Sequence, residues 1–204
     1  MDQPNGTGCI ICSRDLQLRA CTSCGVALYC SPKCQKEDWK VHKILCATWE
    51  NFKQPPAGRV DMRRVIVFEV SRPVVRFAWV PVRWIASGGE SYDNPDISSV
   101  LEAREGGSLG GYSMYVRNAV RNRRMKIPLL LRLRDAALID GSPTNSAVAK
   151  HLPPRRAMGH SALIWKGPLV VLKSQAEPER ILNVDLRDFR DVADWLDQWS
   201  QGLA

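Results

Sequence analysis

Seven cysteines and one histidine in the first quarter of the chain are the residues best suited to chemistry. They are Cys9, Cys12, Cys21, Cys24, Cys30, Cys34, His42 and Cys46. A structural zinc ion takes a closed tetrahedral shell of cysteine sulfur and histidine nitrogen. Eight such ligands are therefore what two Zn²⁺ ions require, and no cysteine of the chain is left over.

The cysteine spacing suggests how the chain could present these ligands. Cys9 and Cys12, and likewise Cys21 and Cys24, are separated by two residues, which makes a tight knuckle that directs both sulfurs at one metal ion. The alternative is a disulfide framework, but the odd cysteine count and the lack of a secretory segment argue against it. The spacing leaves open whether the ligands pair sequentially or interleave.

The second half of this segment has the signature of a helix. Ser31 is a good N-cap, and Pro32 suits the first helical position. Residues four apart share a helix face, so His42 and Cys46 can reach the same ion if the helix extends that far.

The complete pattern, C-x2-C-x8-C-x2-C-x5-C-x3-C-x7-H-x3-C, resembles the MYND-type zinc finger at all eight ligand positions. The Tyr29-Cys30 and Gln35-x3-Trp39 features of that family are also present. The resemblance implies a small cross-braced two-zinc finger built from short strands and a helix. It implies two interleaved ligand sets, one of Cys9, Cys12, Cys30 and Cys34, the other of Cys21, Cys24, His42 and Cys46. RING fingers place their histidine differently and fit poorly.

The resemblance also implies a peptide-binding surface. Residues 26–29 predict a short strand, and in some MYND fingers the comparable strand pairs with an extended proline-rich peptide of the Pro-x-Leu-x-Pro kind. A glutamine and a tryptophan on the adjoining helix flank that groove, and they match Gln35 and Trp39 here. Packing is the alternative role for Trp39, whereas Gln35 has no evident packing role and is the sharper marker.

Composition and charge divide the chain into two parts. Its 204 residues are 45% hydrophobic and 25% charged, as in a globular protein. We expect a MYND-type finger over residues 1–50, a linker over 51–58 that contains Pro55-Pro56, and a basic α+β domain over 59–204. The latter, called the second domain below, holds 22 Lys/Arg against 16 Asp/Glu, whereas residues 1–58 hold 7 against 5.

The sequence shows neither a signal peptide nor a membrane span. The first eight residues are polar, and the most apolar stretch, residues 74–86, is interrupted by arginines. We therefore expect an intracellular protein, in the nucleus or the cytoplasm, without a membrane partner.

Hydrophobic patterning outlines the second domain. Strands are predicted over residues 65–70, 74–82, 127–134, 162–166, 169–173 and 181–186, with loops over 87–95 and 105–111. A closing helix is predicted to start with Asp188 as its cap and to bury an apolar stripe of Phe189, Val192, Ala193, Leu196 and Trp199. Residues 165–171 and 185–187 also resemble extensions attached to MYND fingers in short uncharacterised fungal proteins, for which no activity is known.

Residues 106–134 contain no acidic residue and several arginines. A helix is predicted over 113–125, which would place Arg117, Arg121 and Arg124 on one face as a possible anion-binding stripe. A solvated helix face is the alternative. The segment lacks the interleaved aromatic residues of single-strand nucleic-acid platforms.

No catalytic constellation is evident in the sequence. MYND fingers occur in SET-domain methyltransferases, but this chain has no Asn-His pair to match their cofactor motif, and its finger stands at the start. His151 and His160 are the only imidazoles outside the finger, and we expect both at the surface. Four regularly spaced aspartates fit helix capping and a solvent face better than paired-carboxylate catalysis: Asp185, Asp188, Asp191 and Asp194.

The predicted function is therefore a non-enzymatic, zinc-binding adaptor that captures proline-rich peptides of other proteins, as a transcriptional or other intracellular regulator. The alternative is a nucleic-acid-associated regulator that uses the basic segment 117–126. An enzyme with an unmarked site in residues 59–204 is a third hypothesis.

Overall fold

The computed structural model describes residues 8–59, 61–87, 89–101, 109–113, 117–134, 137, 140–151, 165–175 and 179–200. Over these residues, a small finger with two Cys/His clusters precedes a β-rich half-barrel with helices. In the described part of the chain, no helix is both long and apolar enough to cross a membrane.

The finger contains a two-stranded hairpin and one long helix. Strands β1 (Arg19–Ala20) and β2 (Leu28–Tyr29) pair antiparallel, and helix α1 (Pro32–Cys46) follows. The Ser31 hydroxyl accepts a hydrogen bond from the Cys34 N–H, so the predicted cap and helix start are present. A short 3-10 helix (Trp49–Phe52) comes next.

The second domain contains the remaining elements. These are β3 (Met62–Phe68), β4 (Val75–Ser87), β5 (Glu90–Pro95), α2 (Ser98–Leu101), β6 (Leu109–Ser113), β7 (Arg117–Asn118), β8 (Arg123–Arg124), β9 (Leu129–Arg134), α3 (Ser146–His151), β10 (Leu169–Gln175), β11 (Arg180–Leu182) and α4 (Leu186–Ser200). The main sheet is antiparallel in the order β5-β4-β3-β10-β9-β6, and β11 also pairs with β10. The long strand β4 pairs with β3 through residues 75–81 and with β5 through residues 82–87.

Both faces are buried at the central strands of this sheet. Successive side chains of a strand point to opposite faces, and in β3 Ile66 and Phe68 join one hydrophobic cluster while Val65 and Val67 join another. The first cluster includes the apolar side of α4 and also the buried residues of the finger. The second includes Leu101 of α2. The finger and one face of the sheet therefore share a continuous apolar core.

Several predicted strands are confirmed, with shifted ends. The predictions over 65–70, 74–82, 127–134 and 169–173 correspond to β3, β4, β9 and β10. Of the prediction over 162–166, residues 162–164 lie outside the described residues, and Lys166 makes only an isolated bridge with Thr144. The prediction over 181–186 was too long, because β11 ends at Leu182 and Leu186 already begins α4.

Two predicted loops contain strands. Residues 90–95, within the predicted loop 87–95, form β5 along the far half of β4, and Gly89 has a φ of 87°, which glycine adopts without steric cost. Residues 109–111, within the predicted loop 105–111, belong to β6. Glycine and polar residues in these stretches indicated loops, whereas pairing with a longer neighbouring strand determined the structure.

The helix predicted over residues 113–125 is wrong for its described part. Residues 117–124 form the β7–β8 hairpin, while residues 114–116 lie outside the described residues. The Asn118 side chain accepts a hydrogen bond from the Arg121 N–H, and Asn122 has a φ of 48°, a left-handed conformation that asparagine tolerates. Turn chemistry at these two asparagines therefore outweighs the helical spacing of the arginines.

Helix α4 starts earlier than predicted. Its cap is Asp185, whose carboxylate accepts hydrogen bonds from the N–H groups of Arg187 and Asp188. Asp188 bonds back to the Asp185 N–H, which completes a reciprocal capping arrangement. The predicted apolar stripe is present, and Phe189, Val192, Ala193 and Leu196 are buried.

Candidate metal centre and peptide surface

The first ligand set joins the knuckle of Cys9 and Cys12 to the start of α1. The sulfurs of Cys12 and Cys30 are 3.4 Å apart, those of Cys30 and Cys34 3.7 Å, and those of Cys34 and Cys12 3.9 Å. Tetrahedral zinc with Zn–S bonds of about 2.3 Å places its sulfurs about 3.8 Å apart. The separations of these three sulfurs are therefore close to those that a zinc ion requires, and the Cys9 sulfur lies within 4.8 Å of each of them.

The second ligand set comprises Cys21, Cys24, His42 and Cys46, which are all buried. The Cys21 and Cys46 sulfurs are 3.8 Å apart, as are the Cys24 sulfur and His42 Nε2. In each set the four ligand atoms lie within 4.8 Å of one another. The structure thus forms the two interleaved sets that the resemblance implies.

The surroundings of His42 suit a metal ligand. Nε2 faces Cys24, while Nδ1 lies 4.0 Å from Oδ2 of Asp38, a buried carboxylate. Burial lowers the pKa of His42 and outweighs the opposing effect of Asp38, which favours the neutral imidazole that binds metal. The Tyr29 hydroxyl donates to Asp38 Oδ2 at 2.7 Å and holds this supporting carboxylate in place.

The thiol of Cys9 is predisposed to ionise. Burial opposes the thiolate, but hydrogen bonds from the backbone of Cys12, Cys30 and Ile11 lower the pKa of Cys9 to about 7. Since a thiolate is the form that binds zinc, the fold of the first knuckle favours metal binding. The donor set, its separations and this backbone support fit two Zn²⁺ ions, which would supply the cross-links that so short a segment needs to fold.

Aspartates on α4 bind arginines of the β7–β8 hairpin. Asp194 accepts from Arg121 at 3.0 Å and from Asn118 at 2.9 Å, and Asp191 accepts from Arg123. These two aspartates are buried, and so is Asp188, which bonds to Lys173 at 2.9 Å. The expectation of a solvent face for this aspartate series is therefore wrong. One feature of the sequence could have indicated these ion pairs. Residues 106–134 contain no acid, so any carboxylates that pair with their arginines must come from another part of the chain.

Ionic and polar contacts also join the finger to the second domain. Arg121 pairs with Glu37 of α1, and Arg190 of α4 lies 3.6 Å from the Asp38 carboxylate. The Arg123 and Arg187 side chains donate to the carbonyls of Ile10 and Gly8 respectively. Helices α1 and α4 pack together at this junction.

The arginines of the predicted anion-binding stripe do not share a helix face. Arg121 is mostly buried between Asp194 and Glu37, Arg117 bonds to Asn122, and Arg124 is exposed at the end of the hairpin. Because the helix is absent and Arg121 is engaged in ion pairs, the structural basis for that stripe is lost.

The predicted peptide-binding residues lie on the outer side of α1. Trp39 is 48% exposed, and its ring lies 6.1 Å from the imidazole of His42. Gln35, one turn earlier, is half-buried. The carbonyl of Leu28 in β2 accepts a hydrogen bond from the Ile10 N–H at 2.8 Å. Part of the hydrogen-bonding capacity of this strand is therefore already used within the finger.

A groove of about 550 Å³ lies over the first ligand set. Its lining includes Ile11, Arg14, Leu16 and Lys33, and Leu16 is 75% exposed. This groove is associated with the first ligand set, whereas Trp39 contacts a ligand of the second.

Of the two histidines outside the finger, the structure describes His151. His151 Nε2 lies 2.9 Å from the carbonyl oxygen of Pro73, within hydrogen-bonding distance. His160 lies outside the described residues.

The geometry defines a two-zinc, cross-braced finger, and comparison with known proteins gives its class. Residues 9–46 match the family model for the MYND finger. This part of the chain is a MYND finger, a protein-interaction module, and its two Cys/His sets are sites for two Zn²⁺ ions.

Similar curated proteins match over the finger region. The chain is 37% identical over 68 residues to mouse "Histone-lysine N-methyltransferase SMYD3", covering 30% of this chain and 16% of that protein. It is 44% identical over 50 residues to chicken "N-lysine methyltransferase SMYD2", covering 24% and 12%. It is 47% identical over 56 residues to "SET domain-containing protein 14" of Caenorhabditis elegans, covering 28% and 13%. The match thus spans at most about a sixth of these relatives, and no solved structure matches the chain.

Proposed function

We propose that this protein is a non-enzymatic adaptor whose finger captures a proline-rich segment of another protein. The observation that carries the proposal is the position of Trp39. In a unit this small, a tryptophan would be expected to pack inward, yet 48% of this residue is exposed. One side of the ring rests against His42, so an aromatic surface is held in a defined orientation.

Gln35 and Trp39 together suit an extended peptide. They are four residues apart on α1 and so lie on the same helix face. Proline-rich segments dock onto exposed aromatic rings because their conformation is already extended and little entropy is lost on binding. The Gln35 amide can both donate to and accept from a peptide backbone.

Strand addition has a smaller part in this proposal than the resemblance implies. Because the Leu28 carbonyl already accepts from Ile10, a peptide alongside β2 could not use that group without displacing a bond of the finger. The side chains of Gln35 and Trp39 therefore supply the main contacts.

The second domain acts as the support of the finger in this proposal. Its α4 packs on α1, and Arg121 and Arg190 of this domain pair with Glu37 and Asp38 of that helix. Its described histidine, His151, is bonded to a backbone carbonyl. The seven cysteines must stay reduced to bind zinc, which supports an adaptor inside the cell.

A binding measurement tests this proposal. A fluorescently labelled peptide with a Pro-x-Leu-x-Pro core is titrated with the zinc-loaded full chain and followed by fluorescence anisotropy. Truncation of an aromatic hot spot costs about 2 kcal/mol or more, so Gln35→Ala/Trp39→Ala should weaken binding at least roughly 30-fold.

Leu16→Ala is the matched control. It also removes an exposed apolar side chain from the finger, but at the first ligand set, and it should leave the affinity unchanged. Zinc content and circular dichroism establish that each variant is folded. Equal affinities for the wild type and the double variant, or no binding by the wild type, would contradict the proposal.

A further inference from the structure

The charged residues of α1 divide into two sets. Its two acids face the second domain, where Glu37 pairs with Arg121, and Asp38 binds Tyr29 and Arg190. The other set consists of lysines, all of them exposed: Lys33, Lys36, Lys40 and Lys43. The outer side of the helix is therefore cationic.

Three of these lysines surround Trp39. Lys36 is three residues before it and Lys43 four residues after it, so both are its neighbours on the helix surface, and Lys40 is adjacent in sequence. Within the described residues, none of the three takes part in a recorded ion pair or hydrogen bond. We call Lys36, Lys40 and Lys43 the lysine face.

The buried charge beneath does not cancel the lysine face. Three thiolates and one histidine around Zn²⁺ would leave the second ligand set with one net negative charge; its ligands are buried, and one of them, His42, lies next to the Trp39 ring. The exposed acids of the finger that the structure describes are paired or lie elsewhere: Glu37 pairs with Arg121, Glu50 pairs with Lys53 beyond the end of α1, and Asp15 belongs to the loop after the first knuckle. An extended peptide that covers Trp39 must therefore run past positive charge on both sides.

We infer that the peptide bound at Gln35 and Trp39 carries acidic residues on both sides of its apolar core, which pair with Lys36 and Lys43. This inference rests on the proposed function and specifies the partner's chemistry. Complementary charges of this kind fix the direction of a bound peptide and speed its association. They also discriminate against proline-rich peptides with basic flanks, because like charges repel across the interface.

The test compares three labelled peptides that share one Pro-x-Leu-x-Pro core and differ only in their flanks: aspartate, serine or lysine. Affinities for the zinc-loaded full chain are measured by fluorescence anisotropy at 0.05, 0.15 and 0.5 M NaCl. An exposed ion pair changes binding by roughly 1.4- to 5-fold. Two pairs should make the aspartate-flanked peptide bind about 5-fold tighter than the serine-flanked one at the lowest salt, and the advantage should shrink at 0.5 M.

Two variants with equal charge locate the effect. Lys36→Gln/Lys43→Gln should abolish the preference for acidic flanks. Arg14→Gln/Lys33→Gln removes the same charge from the groove over the first ligand set and should retain the preference. An equal loss of preference in both variants would show a general charge effect and overturn the inference.

The remaining outcomes separate this inference from the proposed function. If all three peptides bind equally and Gln35→Ala/Trp39→Ala still weakens them, the capture proposal stands and the inference is wrong. If none binds, both fail. The last outcome concerns single-stranded DNA of the same length as a competitor at 0.15 M NaCl. If the DNA displaces the labelled aspartate-flanked peptide at a lower concentration than the unlabelled peptide does, the lysine face binds phosphates and the inference is also overturned.

Discussion

The finger and the second domain use their charges in opposite ways. By composition the second domain is the more basic part, yet Arg121, Arg123 and Arg190 are directed inward and bind Asp191, Asp194 and residues of the finger. The finger has a small net charge, but the two acids of its helix α1 pair with arginines of the second domain, whereas the lysines of that helix are exposed. The difference shows that surface charge depends on which charges the fold pairs, as well as on how many a region contains.

The two parts also differ in what stabilises them. The second domain buries both faces of the central strands of a seven-stranded sheet, which provides ordinary hydrophobic stabilisation. The finger has two strands of two residues each and one helix, too little to fold without metal.

Removal of zinc should separate the two parts most clearly. Structural zinc contributes on the order of 10 kcal/mol to finger folding, so a strong chelator should unfold residues 9–46. Hydrogen exchange followed by mass spectrometry should show loss of protection in α1 and retained protection in β3, β4 and β10. Simultaneous loss of protection in those strands would mean that the second domain has no independent stability.

Truncation of a buried aspartate should have the next largest effect. Asp194 is 4% exposed and binds Asn118, Arg121 and Arg190. Because Asp194→Ala leaves buried cations without their partner, it should lower the free energy of unfolding by about 3 kcal/mol. Urea denaturation measures this change. Asp15→Ala, at an exposed site, is the control and should change it by less than about 0.5 kcal/mol.

Two arginines of the β7–β8 hairpin should differ in effect. Arg121→Gln breaks a mostly buried contact with Asp194 and Glu37, and should cost about 1–3 kcal/mol of folding free energy. Arg117→Gln changes an exposed residue and should cost less than about 0.5 kcal/mol. Thermal unfolding distinguishes the two. Equal, small effects would indicate that Arg121 is a surface residue, as the helical prediction assumed.

The lysine face should matter least for stability. Lys36→Gln/Lys43→Gln should change the free energy of unfolding by no more than about 0.5 kcal/mol, since neither residue is buried or paired in the described structure. Urea denaturation of the zinc-loaded variant measures this change in the free energy of unfolding. A larger loss would assign these lysines a structural role and weaken their use as a recognition surface.

The sequence predicted the metal ligands well because zinc chemistry depends on residue type and local spacing. It did not decide the pairing, which came from the family resemblance and agrees with the observed ligand sets. The strands with apolar runs, such as β3 and β10, were also predictable, because they are buried on both faces.

The errors arose where distant partners determine the local structure. Strand β5 is polar and forms because the far half of β4 provides its hydrogen-bonding partner. The hairpin around Asn118 is bound to Asp191 and Asp194, more than 70 residues away in the chain. No periodicity within residues 113–125 contains that information.

We propose that the outer side of α1 is the recognition surface of this protein. Its most direct test is a ¹⁵N–¹H correlation spectrum of the zinc-loaded full chain during titration with the aspartate-flanked peptide. If the peptide binds there, the largest shifts should occur at the Trp39 indole N–H, Gln35, Lys36 and Lys43, with little change in β4, β9 or the β7–β8 hairpin. Shifts concentrated in the second domain, with α1 unchanged, would contradict it.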